Sequence, residues 1–235
     1  MSVQFDFDDR VALVTGASGS LGTATANAFA RAGATVCLTA RHPPDNGTVD
    51  LDANQIAFYE GDFTDETSVE QVIGDITDDH GRLDILVNLI GAWGGGTPIE
   101  ETDVDDFEFL FDVNLKTAFL ASKHALPHLQ DAEGSIVSAS ARSSLSGGEG
   151  DGPYRAAKAR IRLLTETMAE ENKDQVRANA IMPSIIDTPA NREMIPDADH
   201  SAWPTPQSIA EVILFLCSDA AAPTSGAAVP VYGDT

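Results

Sequence analysis

Along the chain, short apolar runs alternate with longer segments whose apolar residues recur every three or four positions. The runs are VALVTG (11–16), ATVCLTA (34–40), QIAFYEG (55–61), LDILVNL (83–89), GSIVSAS (134–140), VRANAIM (176–182) and AAVPVYG (227–233), and they predict seven strands. The segments 21–33, 65–81, 104–126, 154–172 and 206–219 carry the helical period. Strand followed by helix, repeated, predicts an α/β fold: a doubly wound, parallel, seven-stranded sheet with helices on both faces, as in nucleotide-binding proteins. In the helix starting near Tyr154, the stripe Ala157, Ile161, Leu164 and Met168 should face inward. Gly33 marks the stop of the first helix, and Thr205–Pro206 reads as a cap and first helical position. With neither an internal repeat nor a linker, residues 1–235 read as one domain. The stretch 184–205 is too long for a plain connection and is expected to be an irregular substrate lid.

Charge narrows the list of partners. A formal charge of -23 at pH 7 repels nucleic acid and anionic membranes, so neither is expected as a partner. The acids are dispersed, and lysine is confined to Lys116, Lys123, Lys158 and Lys173. That balance resembles proteins adapted to a salt-saturated cytoplasm, where screening removes self-repulsion; an acidic partner-binding face is the competing explanation. Cys37 and Cys217 both fall in apolar runs and read as buried thiols in a reducing compartment. Neither a leader-like start nor an 18-residue apolar stretch is present, so the expectation is a soluble cytoplasmic protein.

Two local patterns carry chemistry. In VALVTGASGSLGTATANAF an apolar strand runs into a glycine-rich turn and directly into a helix. Such a turn lets backbone N–H groups approach a pyrophosphate at the positive helix end, with Gly16, Ser18, Ser20, Leu21 and Gly22 as the expected contacts. Farther on, Tyr154 and Lys158 are four apart on one helical face. An ordinary surface pair has the same spacing. A phenol titrates near pH ~10, and an adjacent ammonium should favour its ionised form and bring it toward the working range.

With these patterns in place, the chain resembles the short-chain dehydrogenase/reductase family, which has a Rossmann fold, over nearly its whole length. The family's T-G-x-x-x-G-x-G appears as TGASGSLG, keeping Thr15, Gly16 and Gly22 with the middle glycine shifted to Gly19. Its acid after the third strand matches Asp62, followed by Phe63, and is expected to contact adenine. N-N-A-G appears as NLIG, keeping Asn88 and Gly91; the active-site asparagine matches Asn114; P-G-x-x-x-T appears as PSIIDT, with Pro183, Ile186 and Thr188. The resemblance implies that Lys158 also holds the nicotinamide ribose, Tyr154 donates a proton as hydride moves to a small-molecule substrate, and Asn114 holds a relay water. It also implies a homo-oligomer, dimer or tetramer. An acid ending the second strand would select NAD(H), but Ala40 stands there and Arg41 follows, so NADP(H) is preferred with NAD(H) possible. Arg41 could equally lie over the adenine ring or be solvated.

One family residue is missing. The carbonyl-polarising serine thirteen positions before the tyrosine is Ala141. Ser140 should point to the other side of its strand, and Ser143, Ser144 or Ser146 can substitute only if their loop folds back. The dihydropteridine reductase branch also lacks that serine and shares the G-x-x-G-x-L-G turn, and its lid resembles 187–206, with Asn191, Arg192 and Trp203; against it stands Ala40 in place of that enzyme's acid. The expected activity is therefore NAD(P)H-dependent hydride transfer to a small carbonyl or conjugated C=N group, the alternatives being a quinonoid dihydropteridine reductase or a non-catalytic cofactor sensor. His124 and His128 read as solvated residues at a helix end closed by Pro127, not as metal ligands. Trp93 borders either a substrate pocket or a flexible loop, and Glu149–Gly152 reads as a turn.

Overall fold

The computed structural model describes residues 5–43 and 55–235, so the first four residues of the segment read above for a leader lie outside it. All seven predicted strands form: β1 Val11–Thr15, β2 Thr35–Ala40, β3 Ile56–Glu60, β4 Ile85–Asn88, β5 Ser135–Ala139, β6 Arg177–Pro183 and β7 Ala228–Val231. They make one parallel sheet in the order β3-β2-β1-β4-β5-β6-β7. The order reverses between β1 and β4, which opens a crevice at their carboxyl ends. The strands are apolar on both faces because helices cover both. Val14, Val36 and Val87 pack with Phe29, Ile209 and Ile213 on one side; Leu13, Leu86 and Ile136 pack with Ile73, Ile76 and Leu129 on the other.

Helices α1 (Ser20–Arg31), α2 (Glu66–His80), α3 (Val104–Phe111), α4 (Thr117–Asp131), α5 (Gly152–Glu171), α6 (Pro189–Met194) and α7 (Pro206–Cys217) connect the strands. In α5, Ala157, Ile161 and Met168 are buried as expected, and Leu164 packs at the edge of the core. Thr205 caps α7 by accepting from the Ser208 N–H at 3.1 Å. Gly33 follows Ala32, the C-cap of α1, and sits at φ +97°, a conformation costly for any residue with a side chain.

Three expectations change. The single helix read over 104–126 is two, joined by a π-turn at Asp112–Lys116. Pro127 does not end α4, which continues to Asp131; the proline removes one N–H donor, while Ala125 and Leu129, both fully buried, hold the last turns to the sheet. The stretch 184–205 is ordered, with α6 and a 3-10 turn at His200–Ala202. Thr188–Pro189 starts α6 just as Thr205–Pro206 starts α7, with Thr188 Oγ1 accepting from the Asn191 N–H at 3.2 Å.

Cys37 in β2 and Cys217 at the end of α7 are free and buried, and burial pushes both thiols up to about 12. Among the described residues no helix is long and apolar enough to cross a membrane.

Candidate active site

The crevice holds a cavity of about 970 Å³, walled by the turn after β1 and the loops after β4, β5 and β6. At one end Gly16, Gly19, Ser20, Leu21 and Gly22 line it. Gly19 caps α1 without a side-chain hydrogen bond, and the first turn carries no acid, so the helix presents free N–H groups and an uncompensated positive end. A Cβ on Gly22 would sit 2.3 Å from the Gly16 carbonyl oxygen and 2.8 Å from Ala17 Cα. This cradle fits a dinucleotide pyrophosphate: it is shaped for backbone approach and offers donors with no protein acceptor. Gly22→Ala must open that turn, and is expected to weaken NADPH binding roughly tenfold to a hundredfold, as 1–3 kcal/mol of misfit converts. Isothermal titration would measure it; unchanged affinity would argue that the turn does not hold the cofactor.

Gly91 after β4 lets two side chains meet. A Cβ there would lie 2.6 Å from Asn114 Oδ1 and 3.0 Å from Lys158 Nζ. Asn114 is fully buried on the π-turn. Its amide donates to the carbonyls of Ala92 and Leu110, both at 2.9 Å, and its Oδ1 accepts from the Ala92 N–H at 3.2 Å. With both amide protons engaged, Asn114 can only accept from a water. Lys158 is 6% exposed and donates to the Ala139 carbonyl at 3.0 Å; burial without a paired acid brings its ammonium down to about 8.

Tyr154 lines the cavity, half-buried, with Lys158 Nζ 6.0 Å from its ring centroid. The shared face is as expected, but the direction of the phenol's shift is not. Burial, reinforced by the nearby Asp151 carboxylate, pushes it up to about 12. The charge that opposes this rise in the chain is Arg155.

Ala141, where the resemblance leads to the expectation of a serine, is buried and lines the cavity. Ser140 also lines the cavity, but its Oγ donates to the Lys158 carbonyl at 2.7 Å and lies 3.2 Å from Ser144 Oγ, so its proton is engaged. The loop does fold back, held by a residue that the sequence reading passed over: Arg155 donates to Asp151 and to the carbonyls of Ser143 and Ser146 at 3.0 and 3.2 Å. Ser143 and Ser146 thereby join the wall.

Pro183, Ile186 and Thr188 line the cavity beyond β6, together with Asn191. Arg192 pairs with Asp187, and Trp203 is buried against the His200 ring, and neither lines the cavity. Ser18, Arg41, Asp62, Phe63 and Asn88 lie outside the cavity wall. Ser18 and Arg41 are exposed. Asp62 accepts from Thr64, which with the nearby Arg41 charge holds its carboxyl below the usual range. Phe63 is in the core, and Asn88 ties β4 to Ser122 and Ser138 at 3.1 and 3.2 Å. Trp93 borders the cavity in a loop pinned by the Gly96 N–H to the Gly150 carbonyl at 2.8 Å. His124, expected in solvent, lies 3.2 Å from Glu66 Oε1 across α2 and α4, where Lys123 also pairs with that acid.

A parallel sheet with a phosphate-binding turn, and a Tyr–Lys pair beside a buried asparagine, define a nicotinamide-dependent oxidoreductase site. Residues 16–233 match the family model described as Enoyl-(Acyl carrier protein) reductase. The meso-2,3-butanediol dehydrogenase of Serratia marcescens is 31% identical over 97% of this chain and 94% of its own length. Cis-4-hydroxycyclohexanecarboxylate dehydrogenase of Sinomonas cyclohexanicum is 33% identical over 97% and 96%. A glucose/ribitol dehydrogenase structure from Brucella melitensis superposes with TM-score 0.90, at 28% identity and 98% coverage of both chains. The chain belongs to the short-chain dehydrogenase/reductase family, and is a pyridine-nucleotide-dependent oxidoreductase.

Proposed function

We propose that the protein is an NADP(H)-preferring reductase, NAD(H) being the weaker cofactor, that passes hydride to a small carbonyl or conjugated C=N group. The observation that carries this is the convergence of Tyr154, Lys158 and Asn114 on one cavity that continues into the α1 turn. A nicotinamide dinucleotide bound there supplies the hydride. Gly16, Ser20, Leu21 and Gly22 would hold its phosphates, and Gly91, Pro183, Ile186, Thr188 and Lys158 its nicotinamide half. Tyr154 keeps its proton through neutral pH, being shifted up to about 12, and so serves as the acid that completes the reduction. Lys158 holds the ribose beside it and tunes the phenol, and Asn114 supports the relay as a water acceptor.

Ala141 favours a second reading. With a methyl in the serine's place, an electron-poor conjugated acceptor, as for a quinonoid dihydropteridine reductase, would be reduced without a polarising hydroxyl at that position. The same residue motivates a non-catalytic cofactor sensor. The remaining parts of the proposal are a single domain over 1–235, a cytoplasmic location, salt adaptation, and a homo-oligomer. The exposed Phe107, Phe109, Phe119 and Leu163 on α3, α4 and α5 support self-association.

The test is oxidation of NADPH and NADH in high salt against ketones, quinones and quinonoid pterins. Turnover with one of these classes, and a preference for NADPH that falls about tenfold in Arg41→Ala, are the expected results. Cofactor binding with no oxidation against any acceptor would leave the sensor.

A further inference from the structure

We infer, building on the reductase reading, that the substrate is an apolar ring ketone or quinone and not a polyhydroxylated carbonyl compound. Of the twelve large hydrophobic side chains exposed among the described residues, five line the cavity: Trp93, Leu145, Ile185, Met194 and Ile195. They come from three separate connections, after β4, β5 and β6, so no single amphipathic helix accounts for their meeting. Trp93 and Met194 are more than half exposed, at 55% and 58%. In an acid-rich chain, a concave apolar wall of this kind marks a place where apolar surface is covered on binding. The Ala141 methyl extends the wall to the reacting end.

Most polar side chains around the substrate end of the same cavity are already engaged. Ser140 bonds the Lys158 carbonyl; Asp151 and Arg155 bond each other; Asn191 donates to the Ile186 carbonyl at 2.8 Å; Thr188 caps α6; and Arg142 donates to Thr235 at 2.8 Å. Beside the Tyr154 hydroxyl, which is the proton donor, the hydroxyls of Ser143 and Ser146 have no partner among the described residues. Three free hydroxyls, one of them the proton donor Tyr154, match one carbonyl and at most a single further polar substituent. A sugar or polyol would lose water from several hydroxyls and find no replacement for it, which a site without matching groups rejects strongly.

The deciding comparison uses two ketones on one six-membered ring, cyclohexanone and its pentahydroxy counterpart, with NADPH in high salt. The bare ring is expected to be preferred at least about a hundredfold in kcat/KM. Trp93→Ala combined with Leu145→Ala should lower its kcat/KM about tenfold through KM, with NADPH affinity unchanged. Equal or better use of the hydroxylated ring, or no effect of the double variant, overturns the inference. If neither ketone is reduced although NADPH binds, it is the reductase reading that fails, and tryptophan fluorescence still decides the inference. Quenching by the bare ring only, lost in Trp93→Phe, sustains it, because Trp203 is buried; quenching by both rings or by neither sinks it.

Discussion

Tyr154→Phe is expected to lower kcat/KM for reduction roughly 10²- to 10⁴-fold, the range that a positioned proton donor contributes. The substitution removes one oxygen and leaves the ring. That oxygen makes no hydrogen bond among the described residues, so no partner is stranded and the fold has no reason to change. NADPH affinity should stay within about threefold, under 1 kcal/mol. A cofactor sensor would give the same binding result but has no rate to lose. Steady-state kinetics with fluorescence titration of NADPH separate the two, and a variant keeping more than a tenth of wild-type kcat/KM would remove Tyr154 from the chemistry.

Lys158→Met should abolish turnover, by about 10² or more, and yet stabilise the protein at pH 7. The ammonium titrates near 10.5 when unfolded and near 8 in the fold, where burial opposes its charge. Between pH 8 and 10.5 the unfolded chain therefore binds more protons than the native one, and this group makes stability rise with pH. Below pH 8 the full cost of a charge in the interior is present. Methionine carries no charge, so the variant should gain about 1–3 kcal/mol at pH 7, less whatever the Ala139 carbonyl loses with its donor. The gain should fade as pH climbs from 8 toward 10.5. Tyr154 acts in the opposite sense: its folded value of about 12 lies above the unfolded 10, so its contribution is complete below pH 10 and is lost above it. Urea melts at pH 7, 8 and 9.5 avoid that overlap. A variant less stable than wild type at pH 7 would mean that Lys158 is not carried as a buried charge.

What could be read in the chain beforehand was local in sequence. The seven strands follow from apolar runs, and the Tyr154–Lys158 pair and the α1 turn each lie within a single helix or turn, so spacing alone places them. The features that escaped depend on distant contacts. The π-turn at Asn114 shifts the helix register without disturbing the apolar period, so 104–126 read as one helix. Pro127 is tolerated because of what packs beneath its neighbours. The upward shift of the Tyr154 phenol arises from burial in the folded cavity and from Asp151, while the four-residue spacing to Lys158 by itself pointed the other way. Arg155 carries no signal in its sequence neighbourhood, and only the folded loop shows it gripping two carbonyls. The cap on α6 was visible as Thr188–Pro189 and was passed over inside a long irregular stretch.

The two thiols divide the molecule between them. Cys37 sits in the layer beneath α2 and α4, and Cys217 in the layer shared by α1 and α7. Protonated and enclosed, neither can react until its own side of the sheet separates. The chain thus carries one chemical reporter for each of its two layers, and an alkylating reagent reads the breathing of each side without any engineered label.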